Sequence, residues 1–262
     1  MHPYFYLKFA GTYLPAYGVM VFLAALFGAI WMLYSKSWKN GLSDFLILFI
    51  ITGTIFLAVL GGKVLFLVVH FNEFNAKGGL YSGGTIQAGA WVFGGLALAV
   101  VLKYFVGEVS LFARDMGISV FGAIAIGRMG CLLVGDDFGV PSTLPWAVSY
   151  PWPLPVGSMF PAEWARDNVC VHPTQVYYSL WSLLAVFLIW SKGEQIVNGR
   201  LSWMWMLIYY CIGRLFIGLT RGDTSVDGGA ELWGHYFSYT QLCCAILCFI
   251  LPIMIYKKIP TE

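Results

Sequence analysis

Apolar residues run through this chain in long blocks, without the alternation or narrow stripes of a soluble domain. Seven blocks reach the roughly 20 residues that a helix needs to cross a bilayer. They fall at about 17–35, 43–70, 84–105, 112–134, 173–191, 201–219 and 237–256. The first 16 residues are aromatic and weakly polar, which suits the membrane interface. The longest connection, about 135–172, is rich in proline and tryptophan. Proline removes helix donors, and Trp and Tyr favour the headgroup layer. The pattern predicts an all-α integral membrane protein, a single transmembrane domain over residues 1–262. It has seven transmembrane helices, with a structured extracytoplasmic loop between the fourth and fifth.

Composition narrows the class. Charged residues make up 11% of the 262 and hydrophobic residues 59%, whereas soluble domains carry about 25% charged residues. That much apolar surface cannot be hidden in a soluble domain of this length. The net charge of +2 is too small to suggest nucleic acid as a partner, and none is expected. The six cysteines form no Cys-x-x-Cys pair and no Cys/His ligand spacing. Neither a disulfide framework nor a metal site is expected, and no cofactor motif stands out. The opening residues lack the basic, apolar and small-residue order of a removable signal peptide.

Lysine and arginine set the orientation. Alternate connections carry Lys36, Lys39, Lys103, Arg114, Lys192, Arg200, Lys257 and Lys258 on one side, against Lys8, Lys77, Arg166 and Arg221 on the other. The richer side is cytoplasmic, so the C-terminus is expected inside and the N-terminus outside.

Lys63, Arg128 and Arg214 remain at membrane depth, and Asp136 and Asp137 stand at the outer end of the fourth span. A charge in hydrocarbon costs at least about 2.5–3.5 kcal/mol. Such residues therefore either pair with one another, snorkel, or serve a function. For Lys63, in "LGGKVLFLV", packing through the glycines explains the site as well as function does. Asp44 follows Ser43 and suits a helix N-terminus. Arginine carries a fork that fits phosphate oxygens, so two arginines from different helices suit an anionic lipid headgroup. Arg128 lies between Gly127 and Gly130, which permit close approach. Arg221 follows Arg214 by seven residues, roughly on one helical face. "HPTQVYY", His172 to Tyr178, opens the fifth span. It is either a polar mouth or an ordinary helix start with interfacial aromatics, and Tyr17 raises the same choice.

Here the residues carry a resemblance. "GRMGCLLVGDDFG", from Gly127 to Gly139, resembles the signature of the prolipoprotein diacylglyceryl transferase family, Gly-Arg-x-Gly-Asn-Phe-x-Asn-x-Glu-x-x-Gly. "HPTQVY" matches a His-Pro-Ser/Thr-Gln-x-Tyr motif, and "GRLFIGLTRGD" resembles a late Arg-x-x-x-Glu-x-x-Arg segment. "YGVM" and "GGKVLFLV" resemble further motifs, all in family order. The resemblance implies seven spans with the C-terminus inside, in the bacterial cytoplasmic membrane. It implies transfer of the diacylglyceryl group of phosphatidylglycerol to the lipobox cysteine thiol of a prolipoprotein signal peptide, releasing glycerol phosphate.

Carried over by position, it implies catalytic roles for Tyr17, Arg128, Arg214 and His172. Arg128, Arg214, Arg221, Gly139, Gln175 and Asp136 would bind or support the headgroup. The family's third-span histidine falls on Gln87 or Ala88 in "GGTIQAGAWVFGG". Glutamine is no base near neutral pH, so Gln87 is expected to orient by hydrogen bonding. Cys131 and Val134 replace the signature asparagines, Asp136 the signature glutamate, and Gly218 the late glutamate. The alternatives are a lipid-headgroup binder, a lipid-translocating protein, a structural partner in an envelope complex, or a transferase with another acceptor.

Overall fold

The computed structural model describes residues 4–7, 12–35, 42–69, 87–106, 109–154, 158–197, 202–223, 229–232 and 235–258. The elements run β1 (Tyr4–Leu7), β2 (Thr12–Pro15), α1 (Ala16–Tyr34), α2 (Asp44–Val69), α3 (Gln87–Tyr104) and α4 (Val109–Val134). They continue with α5 (Ala162–Arg166), α6 (Thr174–Val197), α7 (Ser202–Gly218), β3 (Gly229–Leu232), β4 (His235–Ser238) and α8 (Tyr239–Lys258). Each expected span holds one long helix, although residue 70 of the second, residues 84–86 of the third and residue 201 of the sixth lie outside the described residues.

Among the described residues, five helical stretches are long and apolar enough to cross a membrane. They are Ala16–Tyr34, Asp44–Leu65, Phe112–Val134, Thr174–Ser191 and Tyr239–Tyr256. The apolar parts of α3 and α7, Phe93–Tyr104 and Trp203–Gly218, are shorter. This is an all-helical, multi-pass membrane protein with two small hairpins. In the first hairpin Tyr4 pairs with Pro15 and Leu7 with Thr12. In the second Gly229 pairs with Ser238 and Leu232 with His235. The sequence did not announce these hairpins, because four-residue strands leave too few alternations to stand out from an apolar background.

The chain forms two compact units. Within Met32–Phe112, Ser43 Oγ accepts the Leu46 N–H at 3.3 Å, so Asp44 is the first residue of a capped helix as expected. Helix α2 then packs on α3 through glycine backbones. A Cβ on Gly61 would come within 2.6 Å of the Gly89 carbonyl oxygen and 2.5 Å of Phe93. Lys63, half-buried, belongs to the same helix.

The other unit comprises Met1–Trp31 and Ala113–Glu262. Ile118 and Phe121 of α4 pack with Ala185 and Ile189 of α6, and Met206, Tyr209 and Tyr210 of α7 cover them. Met204 and Ile208 join α7 to Leu251 and Ile255 of α8. The long loop has a small core of its own, made of Phe138, Tyr150, Phe160, Ala165 and Val171. Phe138 and Phe160 meet edge to face at 5.1 Å, and Val148 and Val171 exchange backbone hydrogen bonds of 3.0 and 2.9 Å. The loop thus has a folded core, and the Ser158 hydroxyl ties it to the end of α4 by donating to the Gly135 carbonyl at 3.3 Å.

Candidate active site

Three chain segments are stitched together where α4 ends. Gly139 N–H donates to the His172 carbonyl at 3.1 Å, and Val140 N–H to the Thr220 carbonyl at 2.9 Å. His172 N–H returns to Val140 at 3.0 Å, and Gly222 N–H reaches Phe138 at 3.0 Å. Gly139 is the crossing point. A side chain there would strike the carbonyl oxygens of both His172 and Thr220. Lack of space, and not backbone angle, makes this a glycine site. The crossing draws together the ends of α4 and α7 and the start of α6.

Asp137 occupies the middle of the junction. It adopts a left-handed backbone, φ 54°, which few non-glycine residues do without a reason. Its Oδ2 pairs with Arg128, and its Oδ1 receives Arg221 Nη2 at 2.7 Å. Arg221 also forks onto Asp223 through two bonds of 2.8 Å. The turn is held from α6: the Thr174 hydroxyl donates to the Asp137 carbonyl. The Gln175 amide donates to the Asp136 carbonyl at 2.6 Å and to the Tyr150 hydroxyl at 3.0 Å. Both α6 side chains are fully buried.

Arg128 and Arg214 both lie against one aromatic ring. Their guanidinium carbons lie 4.8 and 5.7 Å from the centroid of Tyr178. Arg214 donates to the Tyr178 hydroxyl at 3.3 Å and to Thr240 Oγ1 at 3.1 Å. Tyr17 stands at the start of α1, with its ring 3.5 Å from where a Cβ on Gly130 would sit. The charges of Asp136, Asp137 and Arg128 act on its phenol. Gly130 thus admits α1, while Gly127 faces open space. His172 Nδ1 lies 3.2 Å from the Tyr177 hydroxyl, which accepts the Trp146 indole N–H at 2.8 Å.

The two adjacent aspartates are pushed apart. Burial works to raise the Asp137 carboxyl, but Arg128, Arg221 and Arg214 outweigh it and hold it below the usual carboxylate range. Asp136 is pushed up to about 6, by burial first and then by the Asp137 charge. Burial also raises the Tyr150 phenol above its ordinary value. Cys131, Asp136 and Asp137 offer donor atoms within 4.8 Å of one another. With both Asp137 oxygens taken by arginines, that trio does not fit a metal ion. What the arrangement offers is guanidinium groups held for an anion, beside one carboxyl with a raised proton affinity.

The sequence model of the family described as prolipoprotein diacylglyceryl transferase matches residues 5–257. The chain belongs to the prolipoprotein diacylglyceryl transferase family. A Clostridium tetani protein named phosphatidylglycerol–prolipoprotein diacylglyceryl transferase is 29% identical over 91% of this chain and 93% of its own length. One from Clostridium perfringens, named phosphatidylglycerol–prolipoprotein diacylglyceryl transferase 2, is 25% identical over 91% of each. A Corynebacterium glutamicum protein with the first name is 24% identical over 88% of this chain and 77% of its length.

Set against the signature of the diacylglyceryl transferases, the geometry adds detail at several positions. Asp136 stands at the signature glutamate, yet the carboxylate that meets the arginines is that of Asp137. Arg221 is not a helical neighbour of Arg214 as expected: α7 ends at Gly218, and the Gly139 bridge positions Arg221 instead. The place of the late family glutamate, Gly218, is crowded by Gln241, whose side chain a Cβ would strike. Gln241 is buried and accepts from Ser238 N–H at 2.9 Å. Gln87 opens α3 in the Met32–Phe112 unit, and its side chain lies outside the described residues. Asp137 was singled out only as one of two charges at the end of the span, Thr174 and Tyr178 only as members of the His172–Tyr178 stretch, and Asp223 and Thr240 were missed. Asp223 had a signal, since it lies two residues beyond Arg221.

Proposed function

We propose that this protein transfers the diacylglyceryl group of phosphatidylglycerol to the lipobox cysteine thiol of a prolipoprotein, with release of glycerol phosphate. The observation that carries this reading is the pair of arginines on one ring, Arg128 at 4.8 Å and Arg214 at 5.7 Å from Tyr178. Their forks receive the lipid phosphate, whose charge grows as it leaves the glyceryl carbon. Arg221, His172, Gln175 and Gly139 support them by fixing the turn that carries Asp137. Tyr17 flanks the same site.

The chain forms one transferase domain that crosses the bacterial cytoplasmic membrane seven times, N-terminus outside. The distribution of lysine and arginine supports this. Residues 135–172 lie on the outer face, where both lipid and prolipoprotein reach the site sideways. The test gives the purified protein phosphatidylglycerol and a lipobox peptide. Thioether-linked peptide and free glycerol phosphate are the expected products. Binding of the lipid without product, at every pH, would make the chain a headgroup binder instead.

A further inference from the structure

We propose that Asp136 is the group that accepts the proton of the acceptor thiol, a role that rests on the transferase reading above. A free thiol has a pKa of about 8.5, so little is ionised at neutral pH and a base is useful. The site contains few candidates. Tyr17 is a phenol, neutral and a poor proton acceptor near pH 7. At His172 the nitrogen Nδ1 is engaged by Tyr177. Because the Trp146 indole donates to that phenol oxygen, the phenol's own hydrogen is available to Nδ1. When the phenol donates to Nδ1, the imidazole hydrogen sits on Nε2 and His172 is a donor; the His172→Gln arm of the test covers the other tautomer. Asp137 has both carboxylate oxygens on arginines and stays ionised.

Asp136 differs from all three. Its Oδ1 accepts the Asp137 N–H at 3.0 Å, and its Oδ2 has no partner among the described residues. Gln175 pins its backbone carbonyl at 2.6 Å, so the carboxyl is fixed in place and half-buried. Charged and titratable groups face it from every side. Tyr17 comes from α1, Cys131 from α4, Asp137 and Tyr150 from the loop, and Arg221 and Asp223 from beyond α7. Burial and the Asp137 charge place it at about 6. Two neighbouring carboxyls pushed in opposite directions are the usual mark of divided roles: Asp137 holds the arginines and Asp136 exchanges a proton.

The step balances. The thiol proton passes to Asp136 Oδ2 as the sulfur pair forms the C–S bond to the glyceryl carbon. The C–O bond to phosphate breaks, and its electron pair leaves on the phosphate oxygen beside Arg128 and Arg214. The product is a phosphate monoester with a second pKa of about 6. Protonated Asp136 returns its proton to that product at little cost and is reset.

The test compares the full-length protein with Asp136→Asn and His172→Gln, using phosphatidylglycerol and a lipobox peptide from about pH 6 to 9. Asparagine keeps the oxygen that accepts the Asp137 N–H, so the turn survives. Asp136→Asn should lower kcat at least about 100-fold near pH 7 and leave the lipid KM little changed. It should also abolish the rise in rate through about pH 6. The deficit should shrink to about tenfold or less near pH 9, where the thiol ionises by itself. A deficit constant across pH, or a raised lipid KM in place of lowered kcat, overturns the proposal. So does a low-pH limb that survives Asp136→Asn and disappears in His172→Gln. An active protein whose Asp136→Asn form is unimpaired overturns this role alone, whereas no transfer by the unsubstituted protein at any pH overturns the transferase reading with it.

Discussion

Where α2 meets α3, Gly61 and Gly89 bring two helix backbones together, with Phe93 and Leu65 as the nearest side chains. At the end of α4, Gly139 brings three backbones together, with carbonyl oxygens as its nearest neighbours. The device is the same: a missing Cβ permits an approach that any side chain would prevent. The consequences differ. The helix pair gains dispersion contacts spread over many atoms, each worth about 0.1–0.2 kcal/mol. The crossing at Gly139 instead brings donors and acceptors from three segments within hydrogen-bond reach, and so gathers Arg128, Asp137 and Arg221 on one another. Close packing in the first case holds the helices together. In the second it holds charged side chains against one another.

The sharpest way to separate the two regions is to remove the charge itself. Arg128→Ala and Arg214→Ala should each lower transfer at least about 1,000-fold in a phosphatidylglycerol–peptide assay, while the amount of folded protein changes little. Lysine at either position should recover only a small part of the rate, because it keeps charge but loses the fork. A lysine form with near-normal turnover would show that fork geometry is not used there.

A smaller but still large effect belongs to the crossing. Gly139→Val should push apart the segments around His172 and Thr220, at a cost of about 1–3 kcal/mol in stability. Transfer per folded molecule should fall much further than the shift in thermal midpoint suggests, because Arg221 and Asp137 lose register. If activity and midpoint decline in proportion, the crossing matters only for folding, and the contrast with the helix pair disappears.

The least effect on chemistry is expected from Gly61→Ala. It crowds Phe93 and the Gly89 carbonyl and should destabilise by about 1–3 kcal/mol. Transfer per folded molecule should stay at the unsubstituted level. A specific loss of turnover would mean that the α2–α3 pair takes part in the site.

The helices were legible because an apolar block of about 20 residues has few alternatives in a bilayer. The helix start at Asp44 was legible for a local reason too, since a serine hydroxyl satisfies a terminal N–H wherever the helix is placed. Arg128, Arg214, His172 and Gln175 stood out because charge and strong polarity are costly beside so much hydrocarbon.

The sequence by itself determined which charged and strongly polar residues stand in or beside the apolar blocks and roughly where along the chain they lie. Only the tertiary structure chose between neighbours. Asp136 and Asp137 are the same residue type in adjacent positions, yet with the left-handed turn at Asp137 one carboxylate takes both Arg128 and Arg221 while the other accepts the Asp137 N–H. Arg221 looked like a helical neighbour of Arg214 until the helix end at Gly218 passed its placement to a bridge with Gly139, more than eighty residues earlier in the sequence. Gln241 occupies the room beside Gly218 only because α8 folds back onto α7. Burial, hydrophobic length and capping act on residues close in the chain, so the sequence carries them. The partner of a charge and the space beside a glycine belong to segments that only folding brings together.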